Sequence, residues 1–348
     1  MYYINKNIKD LYRVKFHDER SGVLRLDMNE NPEGLPKEVF DAVIPKITPE
    51  YVATYPEKDR LMELLAEHNG VMYKNISVTA GSDEAMRLIF QCFGQKGKKL
   101  LTVTPTFEMY GVYAEMFGMK HEMIGYQDDY SIDATKLFDA INMDTSIVIL
   151  LNPNSPIGYI YNENDVRNII ERAKNVGAIV VIDEAYHYFY APTFMPLIKE
   201  YDNLLVLRTF SKLFSMAGLR IGYVSGNDEL IEYIEKAEST FNVNNIAILF
   251  AKEVIQNRKL IDHLVNVEHA GRMWIVEKLN SAGYQTIEME GNYILFLPKK
   301  DSKIIVAELK KKKIWIRDYS TGILKGWIRI STGSIACMQK FWEVFNQI

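Results

Sequence analysis

Through its middle, the chain repeats three features: a short, almost wholly apolar run, a turn rich in Gly, Pro, Asn or Ser, and a longer amphipathic stretch. Short apolar runs are typical of strands buried on both faces, and amphipathic stretches between them are typical of connecting helices. The pattern therefore predicts an open α/β sheet with mostly parallel strands. The predicted strands lie near residues 76–79, 100–103, 147–151, 178–183, 204–208 and 221–224.

Two connecting helices have recognisable ends. One is predicted over residues 83–92, with Ser82 or Asp83 as its N-cap. The other runs from about residue 164 to residue 175 and is ended by Gly177.

From about residue 246 the pattern changes to a long helical region through residue 279. Shorter strands follow around residues 293–297, 314–317 and 327–331, with helices between them. The change predicts a second, smaller α+β domain. We predict a large domain over residues 40–245 and a small domain formed by residues 1–39 and 246–348, a division that suits a chain of 348 residues.

The composition is that of an ordinary globular protein, with 48% hydrophobic and 25% charged residues. A net charge of −4 gives no electrostatic reason to expect a nucleic acid or an anionic membrane as partner. The basic run at residues 310–313 is interpreted as the solvated last turn of a helix. Cys92 and Cys337 fit free thiols, no metal-ligand spacing is present, and no signal peptide or membrane span is visible, so we expect a cytoplasmic protein.

Polar residues follow the predicted strands at the edge where open α/β sheets bind ligands. Lys212 comes after the strand at residues 204–208, and lysine amines form Schiff bases with carbonyl cofactors when neighbours depress their pKa. Asp183 ends another strand, where a buried carboxylate needs a positive partner such as the protonated ring nitrogen of pyridoxal 5'-phosphate. Alternatively, Asp183 caps a helix or binds Mg²⁺ together with Glu184, although the chain has no Gly-x-x-x-x-Gly-Lys-Ser/Thr loop.

Two more polar residues follow strands of the same sheet. Tyr186 comes three residues after Asp183, where its phenol can bond the cofactor's ring oxygen, or it is an ordinary core tyrosine. Asn152 begins Asn-Pro-Asn-Ser-Pro-Ile-Gly, whose prolines restrict the loop and fix the amide, or the segment is a plain turn.

A third group suits a phosphate. Gly81-Ser82-Asp83 joins a strand to a helix, whose free backbone N–H groups and dipole favour an anion. Arg220, with Thr209 and Ser211, can add charge-assisted hydrogen bonds to the same phosphate, or it is an ordinary surface arginine.

Nine motifs occur in a fixed order along nearly the whole chain. They are Asn-Glu-Asn-Pro (29–32), Tyr-Pro (55–56), Gly-Ser-Asp-Glu-Ala (81–85), Pro-Thr-Phe-Glu-Met-Tyr (105–110), Asn-Pro-Asn-x-Pro-x-Gly (152–158), Val-Ile-Asp-Glu-Ala-Tyr (181–186), Ser-Lys (211–212), Gly-Leu-Arg-Ile-Gly-Tyr (218–223) and Ile-Arg-Ile-Ser-Thr-Gly (328–333). The set resembles the class I/II aminotransferases of fold type I, most closely the histidinol-phosphate aminotransferase family. The resemblance implies a large domain with a seven-stranded type of sheet, a smaller α+β domain and pyridoxal 5'-phosphate as cofactor.

The resemblance also implies roles by position. Lys212 would form the Schiff base with the cofactor and shuttle a proton, and Asp183 would pair with the ring nitrogen. Tyr186 and Asn152 would bond the ring hydroxyl, and Tyr110 would stack on the ring. Ser82, Asp83, Thr209, Ser211 and Arg220 would hold the phosphate, together with Tyr55 from the other subunit of a homodimer, and Arg329 would hold the substrate's anion with Arg317 as a second contact.

Three positions depart from the family's usual pattern. Glu33 stands where an aromatic residue is usual, and Ser155 and Ile157 stand where Asn and Thr are usual. We expect these changes to alter the substrate cavity more than the cofactor chemistry.

The favoured function is amino-group exchange between a phosphorylated or carboxylated amine and a keto acid such as 2-oxoglutarate. Decarboxylation of a phosphorylated hydroxy amino acid needs the same residues, and no motif separates the two reactions. A cofactor-binding module without turnover is a third hypothesis, opposed by the presence of both Lys212 and Asp183.

Overall fold

The computed structural model describes residues 2–12 and 19–348. Its helices are α1 (Lys6–Lys9), α2 (Lys37–Val43), α3 (Pro49–Ala53), α4 (Asp59–Asn69), α5 (Gly81–Phe93), α6 (Met109–Phe117), α7 (Ala134–Ala140), α8 (Glu163–Asn175), α9 (Asp228–Ala237), α10 (Asn245–Ile255), α11 (Arg258–Ser281), α12 (Ser302–Lys311) and α13 (Ile335–Phe345). Its strands are β1 (Leu24–Arg25), β2 (Ile76–Thr79), β3 (Lys99–Thr104), β4 (Lys120–Gly125), β5 (Thr145–Leu151), β6 (Ile179–Asp183), β7 (Leu204–Thr209), β8 (Gly222–Gly226), β9 (Gln285–Ile287), β10 (Tyr293–Leu297), β11 (Ile314–Trp315), β12 (Arg317–Asp318) and β13 (Ile328–Ser331). Residues 1 and 13–18 of the predicted small domain lie outside the described residues.

The larger sheet has seven strands in the order β2-β8-β7-β6-β5-β3-β4. Strand β8 runs antiparallel to both of its neighbours, and the other pairs are parallel. Every residue of β5 and β7 is buried, as their continuous apolar runs predict. The mostly parallel α/β sheet is therefore confirmed, and the carboxyl ends of β5, β6 and β7 meet at one edge.

Strand β4 at the sheet's edge was not predicted. Four of its six residues are exposed and two are partly exposed. An edge strand pairs on one side only, so its sequence Lys-His-Glu-Met-Ile-Gly need not carry an apolar run.

The start of α5 differs from the prediction. The helix begins at Gly81 after Ala80 as N-cap, and the Ala80 side chain makes no capping hydrogen bond. The predicted cap at Ser82 or Asp83 is wrong, because both residues already lie in the first helical turn. Their backbone N–H groups are among those that have no partner within a helix.

Helix α8 agrees closely with the prediction. It begins at Glu163, and the Asn162 side chain caps it by accepting a hydrogen bond from Asp165 N. Gly177, just beyond the helix, has a φ of +74°, a conformation that glycine adopts without strain.

The smaller sheet is antiparallel, in the order β12-β13-β10-β9, and β1 pairs separately with β11 in parallel. The strand predicted at residues 314–317 is in fact two strands of two residues that belong to different sheets. The long helical region is two helices, α10 and α11, which are separated at residues 256–257. The basic run at residues 310–313 does end helix α12.

The described residues form three buried clusters. The largest covers the seven-stranded sheet and includes Tyr293, the second lies between the smaller sheet and helices α11 and α13, and a small third cluster contains Ile157 and Trp327. Among the described residues no helix is long and apolar enough to cross a membrane.

Candidate active site

Lys212 lies just beyond β7 at the edge where the parallel strands end. Its Nζ donates a 3.1 Å hydrogen bond to the backbone oxygen of Met28 and lies 5.4 Å from the centre of the Tyr186 ring. The side chain is partly buried rather than solvated on the surface. Strand β6 beside it ends in Asp183, so the predicted lysine and carboxylate belong to the same edge of the sheet.

Asp183 is only 4% exposed and has two hydrogen-bond donors. Tyr110 Oη donates to its Oδ2 at 2.8 Å, and the backbone N–H of Ala185 donates to its Oδ1 at 3.0 Å. Burial raises the pKa of Asp183 to about 6, although both hydrogen bonds and the charge of Lys212 act to lower it. A carboxyl group in this setting is suited to a cationic partner.

Glu184 follows Asp183 but takes part in a different contact. Its carboxylate forms a buried ion pair with Arg208, whose Nη2 lies 2.8 Å from Glu184 Oε2. The other oxygen accepts from Thr193 Oγ1 at 2.8 Å and from Phe194 N at 2.7 Å. These contacts occupy Glu184, which removes the basis for a magnesium pair with Asp183. No group of three His, Cys, Asp or Glu among the described residues can hold a metal ion.

The Tyr186 phenol is subject to the charges of two cations, Lys212 and Arg329. Asn29 Nδ2 donates to it at 2.8 Å. Burial acts to raise the pKa of the Tyr186 phenol, but Lys212 and Arg329 lower it below its ordinary value. The phenol is therefore able to hold negative charge on its oxygen.

Asn152 lies after β5 and is also buried. Its Oδ1 accepts a 3.1 Å hydrogen bond from the backbone N–H of Tyr161, so the amide nitrogen is the end left to serve as a donor. The predicted bond to a ring hydroxyl stays a prediction, as does the stacking of Tyr110, whose phenol in this structure reaches Asp183.

The residues expected to hold a phosphate surround the first turn of α5. A Cβ added to Gly81, which has a φ of +80°, would lie 2.7 Å from Arg220 Nη2, so the guanidinium lies against this turn. Thr209 Oγ1 donates to Ser211 Oγ at 3.0 Å. The Asp83 carboxylate accepts from Tyr113 Oη at 2.8 Å. Ser82 belongs to the same turn, whose backbone N–H groups have no partner within the helix, so the expected role of these residues in holding a phosphate stays a prediction.

Arg329 and Arg317 lie directly opposite each other on β13 and β12. Arg329 is 8% exposed; its Nη2 donates to the Asp27 backbone oxygen at 2.6 Å, and its Nη1 donates to Ser155 Oγ at 3.3 Å. Its buried Nε has no hydrogen-bond partner among the described residues. Arg317 instead bonds Glu108, with 2.7 Å between Nη2 and Oε1.

Tyr55 is not brought into this site. Its side chain is 72% exposed, and its ring stacks on Phe241 with 4.3 Å between the ring centres. Its predicted role in a second subunit's site stays a prediction.

The three departures from the family's pattern lie in different surroundings. Glu33 Oε1 accepts from the backbone N–H of Ser334 at 3.0 Å and from the Ser334 hydroxyl, at the start of α13. Ile157 packs in an apolar cluster with Trp327. Ser155 is the departure that reaches the site, because its Oγ accepts hydrogen bonds from Arg329 and Asn29.

Asn29 is a site residue that sequence reasoning left without a role. Its Nδ2 donates to Tyr186 Oη and to Ser155 Oγ, and its backbone N–H bonds Ser331 Oγ. Its φ of +55° is uncommon outside glycine, although asparagine tolerates it. The Asn-Glu-Asn-Pro motif was the feature of the sequence that could have indicated this role. Its first residue, Asn29, links the N-terminal segment to both sheets.

Comparisons with known proteins agree on one family. A family profile described as "Aminotransferase class I and II" matches residues 21–345. A histidinol-phosphate aminotransferase of Clostridium novyi (strain NT) is 32% identical over 333 residues, which cover 94% of this chain and 92% of that protein.

Solved structures share the fold. The histidinol-phosphate aminotransferase of Clostridium acetobutylicum has a TM-score of 0.84 at 23% identity, covering 94% of this chain and 100% of that one. The enzyme of Sinorhizobium meliloti, solved in complex with pyridoxal-5'-phosphate, has a TM-score of 0.83 at 23% identity, covering 93% and 91% of the two chains.

Proposed function

Since the chain belongs to the class I and II aminotransferase family, we propose that it exchanges an amino group between an anionic amine and a keto acid at the site around Lys212. It is an aminotransferase that depends on pyridoxal 5'-phosphate. The observation that carries the proposed site is the position of Lys212 and the buried Asp183 at the ends of neighbouring strands.

The residues present fit the cofactor. When bound, pyridoxal 5'-phosphate supplies a ring that withdraws electrons from the substrate's Cα. Burial raises the pKa of Asp183, so a protonated ring nitrogen beside it would stabilise the ionised form of the carboxyl group. The Tyr186 phenol, with its lowered pKa, would bond the ring oxygen, and the Asn152 amide nitrogen would donate to the same oxygen.

The cradle at the start of α5 would hold the phosphate. Ser82 and Asp83 supply backbone N–H groups, Thr209 and Ser211 supply hydroxyls, and Arg220 supplies a guanidinium. Lys212 would bond covalently to the cofactor through Nζ and, once freed, would carry the proton taken from the substrate's Cα.

Arg329 would bind the anion of the substrate. Within the described part of the chain, the Nε of this buried guanidinium has no partner, and a carboxylate or phosphate can accept from Nε and an Nη together. The named relatives act on histidinol phosphate, so a phosphorylated amine is our first candidate for the amino donor, with glutamate and 2-oxoglutarate as the exchange pair. Decarboxylation by the same residues gains no support from the comparisons.

We propose a cytoplasmic homodimer with a large domain over residues 40–245. The stacked pair of Tyr55 and Phe241 is exposed, and exposed aromatic residues are typical of protein interfaces. In such a dimer Tyr55 would reach the phosphate in the partner's site.

The experiment that tests this function is a substrate screen. Purified protein loaded with pyridoxal 5'-phosphate is mixed with phosphorylated amines or amino acids and with 2-oxoglutarate, and both glutamate and CO₂ are measured. Glutamate formation that is lost in Lys212→Ala supports amino exchange. CO₂ with a retained amine would support decarboxylation instead, and full turnover by Lys212→Ala would refute the role of Lys212.

A further inference from the structure

The structure contains an ion pair that joins the sides of the two sheets beside the proposed substrate site. Glu108 is the N-cap residue of α6 on the seven-stranded sheet's side, and Arg317 lies on β12 of the smaller sheet. Arg317 Nη2 and Glu108 Oε1 are 2.7 Å apart, so the smaller sheet's second arginine is held by a carboxylate from the seven-stranded sheet's side.

The two arginines form one surface. Arg317 and Arg329 are direct partners across an antiparallel pair of strands, so their side chains lie on the same face of the sheet. Two positive charges placed side by side repel each other, and an anion that lies between or beside them offsets this repulsion. Burial raises the pKa of the nearby Tyr319 phenol while Arg329 and Arg317 both act to lower it, which agrees with a phenol that lies near both guanidinium groups.

The two guanidinium groups differ in their partners. Arg329 is buried and its Nε has no hydrogen-bond partner among the residues that the structure describes, whereas Arg317 already has a carboxylate partner. The Arg317 side chain is 36% exposed and that of Glu108 is 69% exposed, so a ligand can reach both. Exposed ion pairs of this kind contribute about 0–1 kcal/mol, so an anionic ligand can displace Glu108.

We propose that Glu108 determines which substrates the site accepts, by competing for Arg317 with the distal anion of a dianionic substrate. The inference rests on the proposed function, in which Arg329 binds the first anion. The Glu108 carboxylate pairs with Arg317 in the way that the distal carboxylate of a dicarboxylic amino donor would. A substrate with one anion for Arg329 and an uncharged distal end therefore binds without disturbing this ion pair, whereas a dicarboxylate such as 2-oxoglutarate must first displace Glu108.

The test compares glutarate, which has two carboxylates, with pentanoate, which has the same number of carbons and one carboxylate. Their dissociation constants are measured by calorimetry with the pyridoxal 5'-phosphate-loaded protein. We expect Glu108→Gln to tighten glutarate binding about two- to fivefold, the range set by an exposed ion pair, with little change for pentanoate. The matched control is Glu115→Gln, which removes the same charge from an exposed position on the same helix and should change neither constant.

A double-variant cycle separates competition from general electrostatics. In an Arg317→Ala background, Glu108→Gln should no longer tighten glutarate binding, because nothing is left to compete for. Equal tightening with and without Arg317, equal changes for both ligands, or no change at all would each overturn the proposal. Because binding is measured without turnover, a protein that shows the expected binding but no amino exchange would count against the proposed function alone.

Discussion

The hydroxyl of Tyr110 donates a hydrogen bond of 2.8 Å to Oδ2 of Asp183, and both side chains are buried. The contact ties α6 to the end of β6. It also partly compensates a carboxyl group whose burial raises its pKa to about 6. The ionised Asp183 carboxylate therefore lowers the stability of the cofactor-free protein. A cationic cofactor would stabilise it.

Asp183→Asn should change how stability depends on pH. A carboxyl whose pKa is about 6 in the folded state and about 3.8 when unfolded binds its proton more tightly in the folded state. Its favourable contribution is present below pH 3.8 and is lost as the pH rises through 6. Relative to wild type, cofactor-free Asp183→Asn should gain about 2 kcal/mol between pH 4 and pH 8, measured by urea unfolding. Asp139→Asn, at an exposed position, should show no such gain; a flat difference for Asp183→Asn would refute the raised pKa.

Gly222→Ala should weaken binding of the cofactor's phosphate. A Cβ at Gly222 would lie 2.7 Å from the backbone nitrogen of Ser82 and 2.7 Å from the backbone oxygen of Arg208, so the first turn of α5 would be pushed away from β8. We expect the affinity for pyridoxal 5'-phosphate to fall about tenfold or more, about the effect of losing one charge-assisted hydrogen bond, as measured by equilibrium dialysis.

Gly125→Ala is the matched control for that variant, since a Cβ there meets nothing within 4 Å. Affinity for pyridoxal, which lacks the phosphate, should change less than affinity for the phosphorylated cofactor. Equal losses for both ligands would place the cradle elsewhere.

Glu184→Ala should destabilise the fold without acting on the chemistry directly. The change leaves Arg208 buried and unpaired, and breaking a buried ion pair from one side costs about 3–5 kcal/mol. Guanidinium unfolding should show a loss of this size. Glu163→Ala, which removes an exposed partner of Arg167, should cost less than about 1 kcal/mol, and a similar loss in both variants would contradict the assignment.

Arg329→Lys should affect substrate binding far more than cofactor binding. Lysine keeps the charge but cannot bond an anion through two parallel N–H groups. We expect kcat/KM for an anionic amino donor to fall at least tenfold, with the absorbance and affinity of bound pyridoxal 5'-phosphate unchanged. If Arg329→Lys lost the cofactor and left kcat/KM for the substrate unchanged, Arg329 would bind the cofactor rather than the substrate.

The buried strands were predictable because burial on both faces demands continuous apolar runs. Strands β5, β6 and β7 therefore appear in the sequence nearly as they are in the structure. Strand β4 lies at an edge of its sheet, and residues 314–317 are divided between two sheets. Neither arrangement produces a regular pattern of apolar residues in the sequence.

The residues of the candidate site were predictable where a chemically suitable side chain directly follows a strand of the sheet. Lys212, Asp183 and Tyr186 follow strand ends, so the sheet alone brings them together. Asn29 could not be assigned, since its contacts with Tyr186, Ser155 and Ser331 depend on how the N-terminal segment folds between the two sheets. Glu33 contacts Ser334 at the start of α13, and its expected effect on the substrate cavity stays a prediction. Long-range contacts of this kind are set by tertiary packing rather than by local sequence.

The central claim is that Lys212 bonds covalently to pyridoxal 5'-phosphate. Borohydride reduction of the cofactor-loaded protein, followed by digestion and mass spectrometry, locates the lysine that carries the cofactor. The account predicts one pyridoxyl-phosphate group on the peptide that contains Lys212, and none on that peptide in Lys212→Ala. A stoichiometric label on another lysine, or no label on a protein that binds the cofactor, would contradict it.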